Sequence, residues 1–161
     1  IASCLVGSEM CIRDRIYPVL LTLHLFAAIV FIGTVFFEVL FLGGIRRQLP
    51  DRLMMMLEHA VGQRARRLMP WVLLVLFGAG VGMVRERYLA QLATPWTSSF
   101  GTLLSLKILV ALSVLGHFLT ALWLFRSGRM TAGAVRFIHA SVFTHLLLIV
   151  VLAKGMFYVS W

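Results

Sequence analysis

Four apolar runs, each long enough to cross a bilayer, constrain this chain more than any other feature. They occupy residues 18–42, 68–84, 100–125 and 137–161, and a crossing helix needs about 20 apolar residues. Backbone polar groups in lipid have to be satisfied within their own segment, so runs of this length form helices. The 61% hydrophobic content also exceeds the roughly half that is usual in soluble domains. The expected fold is all-α: an integral membrane four-helix bundle forming one transmembrane domain over residues 16–161, with the lipid bilayer as its first partner.

Residues 1–15 stand outside that pattern. The run EMCIRDR back-translates in frame to the transposon end used in preparing sequencing libraries, so 1–15 is read as a sequencing-adaptor artefact and excluded from fold reasoning. The competing reading is a basic leader or a redox segment built on Cys4 and Cys11, but the stretch has no apolar h-region and no small-residue cleavage site. Both cysteines fall inside it. The remainder is therefore expected to carry no disulfide, no CxxC pair and no thiolate metal site.

The net charge of +9 survives removal of that stretch, which takes two residues of each sign. Such a charge suits nucleic acid, but the apolar runs leave no room for a soluble binding domain, and no nucleic-acid partner is expected. The positive-inside rule accounts for it better. Arg46, Arg47, Arg52, Arg64, Arg66 and Arg67 precede the second crossing, and Arg126, Arg129 and Arg136 join the third to the fourth. Both connections should be cytoplasmic. The connection RERYLAQLATPWTSSFG carries only Arg85 and Arg87, with Trp96 as an interfacial anchor. Both termini are then expected in the periplasm of a bacterial inner membrane.

After Pro50, Asp51 can cap a helix through RLMMMLEHAVGQRARR, in which Leu53, Met56, Leu57 and Ala60 recur at helical spacing. This predicts a short amphipathic helix on the cytoplasmic surface, ending before Pro70. The run Met54, Met55, Met56 is a poor metal site, because consecutive residues point in different directions on a helix. Gly78 and Gly82 form a GxxxG within the second crossing, which allows close approach of a neighbouring helix or subunit. The alternative is that glycine is simply common in membrane helices.

Ionisable residues inside a crossing are costly and are functional candidates. Here they are His24, Glu38, Lys107, His117, His145 and Lys154, with His139 near the cytoplasmic edge. At about 1.5 Å of rise per residue, His24, Lys107 and Lys154 fall roughly 10 Å inside the outer boundary. Glu38, His117 and His145 fall in the cytoplasmic half. His24 and Glu38 are separated by close to four full turns, which predicts one shared face of the first helix. Lys107 and His117 can both face inward. His145 and Lys154 lie on opposite sides of the fourth helix, so Lys154 is expected to snorkel towards headgroups.

LLTLHLFAAIVFIGTVFFEVL, with its histidine and the glycine nine residues later, together with SSFGTLLSLKILVALSVLGHF, resembles the bacterial copper-resistance protein D (CopD-like) membrane family. The same residues resemble the related four-helix membrane protoporphyrinogen oxidase, which carries a first-helix histidine and a third-helix lysine at matching places. The chain departs from these families at Phe31, where tryptophan is common. It also has Glu38 where the oxidase has Leu-Pro-Arg. The resemblance implies a protein that handles copper in homeostasis, resistance or transport, with enzyme activity left open.

Residue chemistry offers a place for copper, since imidazole and thioether both suit it. His24, Met83 and Met156 all lie near the outer ends of their helices and are the candidate metal ligands. Met83 and Met156 read first as packing residues. Haem b is the alternative cofactor. His117 and His145 share a depth suited to axial ligation, Gly116 leaves space for a macrocycle, and Lys107 suits a propionate. In that case the chain is a haem-dependent membrane oxidoreductase acting on porphyrinogen or quinone, with Glu38 as a proton relay or the charge partner of a histidine. A third reading leaves His117 bonded to Ser113 or to another helix. The chain is then a subunit of a homo-oligomer or membrane complex that binds nothing itself. No phosphate loop or HExxH is present, and His59 in the surface stretch reads as solvated.

Overall fold

In the computed structural model the backbone is described for residues 4–159 and the side chains for residues 16–159. The side chains of Cys4 and Cys11, and Trp161 at the end of the expected aromatic belt, lie outside the described residues. Among those residues there are helices and no strands. Helix α1 (Cys4–Phe36) continues through a π-helical turn (Phe37–Leu42) into the short α2 (Gly43–Ile45), and α3 spans Asp51–Met83. A second π-helical turn (Val84–Tyr88) leads into α4 (Leu89–Ala93), followed by α5 (Ser99–Arg126) and α6 (Ala132–Tyr158).

Among the described residues four helical stretches are long and apolar enough to cross a membrane: Ile16–Ile45, Asp51–Ala93, Ser99–Arg126 and Ala132–Tyr158. The chain is a multi-pass, all-α membrane protein of the four-helix class. Large apolar side chains such as Phe26, Ile29, Trp71, Leu74, Leu109 and Val151 are exposed on the protein's own surface, as helices solvated by lipid require.

Two expectations for α3 need correction. The amphipathic stretch is not a separate helix, because Asp51–Met83 runs unbroken through Pro70. Proline removes one backbone donor, a loss that membrane helices accommodate through neighbouring groups. Nor does Asp51 cap the helix. Pro50 holds the cap position with ψ 142° and no side-chain bond, and Asp51 is the acidic residue of the first turn. Within the methionine run Met54 is buried while Leu53, Met55 and Met56 are exposed.

The chain divides into two compact units, Ile1–Gly33 with Gln48–Leu89 and Thr34–Arg47 with Ala90–Trp161. In the first, α1 meets α3 at glycines. A Cβ on Gly82 would lie 2.9 Å from Leu20 Cδ1 and one on Gly80 would lie 3.2 Å from His24 Cε1, whereas Gly78 has nothing within 4 Å. The close approach is therefore made by Gly80 and Gly82, not by the expected pair. Further along, the Tyr17 and Tyr88 hydroxyls are 2.9 Å apart, and the Arg87 guanidinium lies 4.2 Å from the Tyr17 ring centre.

The second unit is built on the hairpin of α5 and α6. Ser98 caps α5 by accepting from the Gly101 amide at 3.2 Å, and Thr131 caps α6 by accepting from the Ala134 amide at 3.2 Å. Between them α5 ends in a Schellman motif, with Arg129 N bonded to Leu124 O and Gly128 N to Phe125 O. Gly128 has φ 68°, a left-handed conformation that glycine adopts without strain. On α6 Ile138, Val142 and Leu146, then Leu152 and Met156, form the buried stripe at four-residue spacing. Phe36 packs on Phe143 with ring centres 4.7 Å apart.

Candidate functional site

Polar side chains converge in the α5–α6 interface. His117 and His145 each sit one helical turn after a serine, and each uses its Nδ1–H to bond that serine's own backbone carbonyl. The distances are 2.8 Å from His117 to Ser113 O and 2.7 Å from His145 to Ser141 O. A carbonyl only accepts, so Nδ1 carries the proton in both neutral rings and Nε2 is left as the acceptor. Each Nε2 then receives a hydroxyl from the opposite helix. Ser141 Oγ donates to His117 Nε2 at 2.9 Å, and Ser113 Oγ donates to His145 Nε2 at 3.2 Å. The two rings lie 5.2 Å apart, tilted by 55°.

This reciprocal clasp fastens two helices in the register that pairs 113 with 145 and 117 with 141. Interhelical hydrogen bonds in membranes contribute about 0.6 kcal/mol on average, with a maximum near 1.7. In a double-mutant cycle on Ser141→Ala and His117→Ala, followed by unfolding of the protein in mixed detergent, a coupling energy of about 0.6–1.7 kcal/mol is expected. Additive effects would show that the two residues do not communicate.

A groove of about 460 Å³ opens beside the clasp, lined by Ser113, Gly116, His117, Thr120, Leu124 and Phe137 among others. Its floor is clear at Gly116, where an added Cβ would meet nothing within 4 Å. In the same unit Glu38 sits in the first π-helical turn, a local widening that often accompanies functional positions. His139 Nε2 lies 3.0 Å from its Oε2, with 12% of the Glu38 side chain and 38% of the His139 side chain exposed. Glu38 is thus the charge partner of a histidine, and that histidine is His139.

The first unit holds the other histidine of interest. His24 Nδ1–H donates to Leu76 O on α3 at 2.8 Å, and the ring rests against Gly80. Met83 lies on the same face of α3 as Gly80, about one turn further along. Met156, the third proposed ligand, belongs to the second unit and is 8% exposed. Lys107 is half-buried on α5 and Lys154 is exposed. His59 is exposed on α3. Among the described residues no group of three or more His, Cys, Asp or Glu side chains gathers around one point.

The expectation that His24 and Glu38 share a face rested on uninterrupted 3.6-residue periodicity. Helix α1 keeps that periodicity as far as Phe36, and Glu38 is the second residue of the π-helical turn that follows. Sequence reasoning also missed Ser141. Its signal was present as a repeat, SVLGH at 113–117 and SVFTH at 141–145, which places serine and histidine one turn apart on each of two consecutive helices. Comparison with protein-family models, characterised proteins and solved structures finds no match to this chain.

Proposed function

We propose that this multi-pass membrane protein handles copper at or across a bacterial inner membrane, the activity implied by its resemblance to the CopD-like proteins. The observation that supports this best is the seating of His24. Its Nδ1–H is fixed on the Leu76 carbonyl, the kind of bond that orients metal-binding histidines, and Met83 stands on the same face of α3 as Gly80, against which the ring rests. An imidazole and a thioether in one unit suit copper. Met156, buried as it is, serves in packing. The arginine-rich segments 46–67 and 126–136 face the cytoplasm, which puts the 85–98 connection and both ends of the chain in the periplasm.

The second reading is a b-haem redox protein, favoured by the groove that opens along Gly116 and His117. Against it, both Nε2 atoms already accept serine hydroxyls. Metal analysis of the detergent-purified protein, with absorption spectra before and after dithionite, separates the readings. The expected sample is colourless and holds copper, with affinity more than about 100-fold lower in His24→Ala, since removing a ligand exceeds the 10–100-fold cost of removing a group that only orients one. A Soret band abolished by His117→Ala or His145→Ala would replace copper with haem. A sample holding neither would leave a packing role in a homo-oligomer or a larger membrane complex.

A further inference from the structure

One face of α3 changes its chemistry in order along the helix axis. Arg64, Arg67, Trp71, Leu74 and Gly78 follow one another at alternating steps of three and four residues, which puts them on one side of a helix that runs unbroken from Asp51 to Met83. All of them are exposed, Trp71 by 68% and Leu74 by 63%. At about 1.5 Å of rise per residue, the two guanidiniums are followed about 6 Å further on by an indole, and then by about 10 Å of apolar surface.

The arginine pair has no counterion on its own helix face. From residue 59 to residue 85 the chain contains no Asp or Glu. Among the described residues Arg64 and Arg67 make no hydrogen bond or ion pair, whereas Glu58 and Arg66 are both engaged. The Arg66 guanidinium lies back along the helix, 3.1 Å from where a Cβ on Gly62 would stand. At the other end of the strip, Gly78 has nothing within 4 Å of an added Cβ. The glycine expected to admit a neighbouring helix thus leaves a notch in the apolar surface beyond Leu74.

We infer that this face binds one anionic diacyl phospholipid, with its phosphate on Arg64 and Arg67, its glycerol backbone against Trp71 and an acyl chain along Leu74 and Gly78. The order of the groups selects the ligand. Guanidinium matches phosphate oxygens in bidentate geometry and is more weakly hydrated than an ammonium. Tryptophan settles between headgroups and hydrocarbon, and the stretch after it belongs to a helix long and apolar enough to cross the membrane. An acidic protein segment or a free phosphate would answer the two charges and leave Leu74 and Gly78 uncovered. A zwitterionic lipid brings its own cation beside the phosphate, which two arginines repel.

The inference rests neither on copper nor on which leaflet the arginines meet. Native mass spectrometry of the full chain in a neutral detergent tests it, with phosphatidylglycerol and phosphatidylcholine of equal chain length as probes. One phosphatidylglycerol should bind at least about tenfold more tightly than phosphatidylcholine, and Arg64→Gln/Arg67→Gln should weaken it by about 30-fold, since each cation beside an anionic headgroup contributes about fivefold. Arg126→Gln/Arg129→Gln removes the same charge from the α5–α6 connection and should leave that affinity unchanged. Inorganic phosphate should not compete. Equal affinity of the wild-type protein for the two lipids overturns the inference without any variant having to fold, and would assign the arginine pair to an acidic protein segment. Equal losses in the two double variants also overturn it, because total charge and not this face would then recruit the lipid. Competition by inorganic phosphate would leave an anion site with no place for a chain, and overturns it too.

Discussion

Gly101→Ala is expected to destabilise the second unit by about 2–4 kcal/mol, while the same change at Gly116 is neutral or stabilising by up to about 1 kcal/mol. Gly101 lies in the first turn of α5, under α4 and the segment that follows it. A Cβ there would stand 2.9 Å from the Gln91 carbonyl oxygen, 3.2 Å from that of Pro95 and 3.2 Å from Ser98 Oγ. Two of these atoms are backbone and cannot swing aside. The third is the cap that accepts from the Gly101 amide, and losing a cap typically costs about 1 kcal/mol. Thr102 Oγ1 donates to the same Pro95 carbonyl at 2.8 Å, so moving the segment disturbs a further bond. Gly116 has open space instead, and alanine is the better helix former. Unfolding midpoints of the two variants in mixed detergent, measured side by side, check the prediction. Equal midpoints would mean that the segment preceding α5 yields freely.

The contrast between these glycines shows what the sequence could and could not reveal. Helix number and type followed from apolar run length, and the cap residues Ser98 and Thr131 fall where serine and threonine precede apolar stretches. Which glycine is crowded depends on the phase of one helix against another, which periodicity leaves open by a turn or more. Hence Gly78 was preferred to Gly80. Pro70 looked like a boundary because proline ends helices in water, where the freed carbonyl has competing partners. The π-helical turns have no compositional mark at all, and one of them holds Glu38.

The candidate site was half legible for a related reason. His117 and His145 stood out because ionisable groups are rare in apolar helices, and Ser113 was a foreseeable neighbour one turn away. Ser141 became a partner only through the antiparallel register of α5 and α6, which the Ser-Val-x-x-His repeat encodes but does not announce.

His139→Leu is expected to destabilise the protein by about 2–3 kcal/mol, and adding Glu38→Leu should recover most of that loss. Removing one member of a buried pair leaves an uncompensated charge, which typically costs about 3–5 kcal/mol. The lower figure applies here because 38% of the His139 side chain is exposed, against 12% for Glu38. Replacing both members with apolar residues of similar volume is often neutral, since the desolvation penalty disappears with the charge. Glu38→Gln should cost under about 1.5 kcal/mol, because the amide oxygen still accepts from His139 Nε2–H. The order in detergent unfolding should therefore be wild type and the double leucine variant close together, Glu38→Gln slightly below, and His139→Leu lowest. A double variant as unstable as His139→Leu would show that packing of the imidazole, not the carboxylate it neutralises, holds the π-helical turn against α6. The expected order would mean that the pair, costly to break but replaceable by leucine, contributes little net stability.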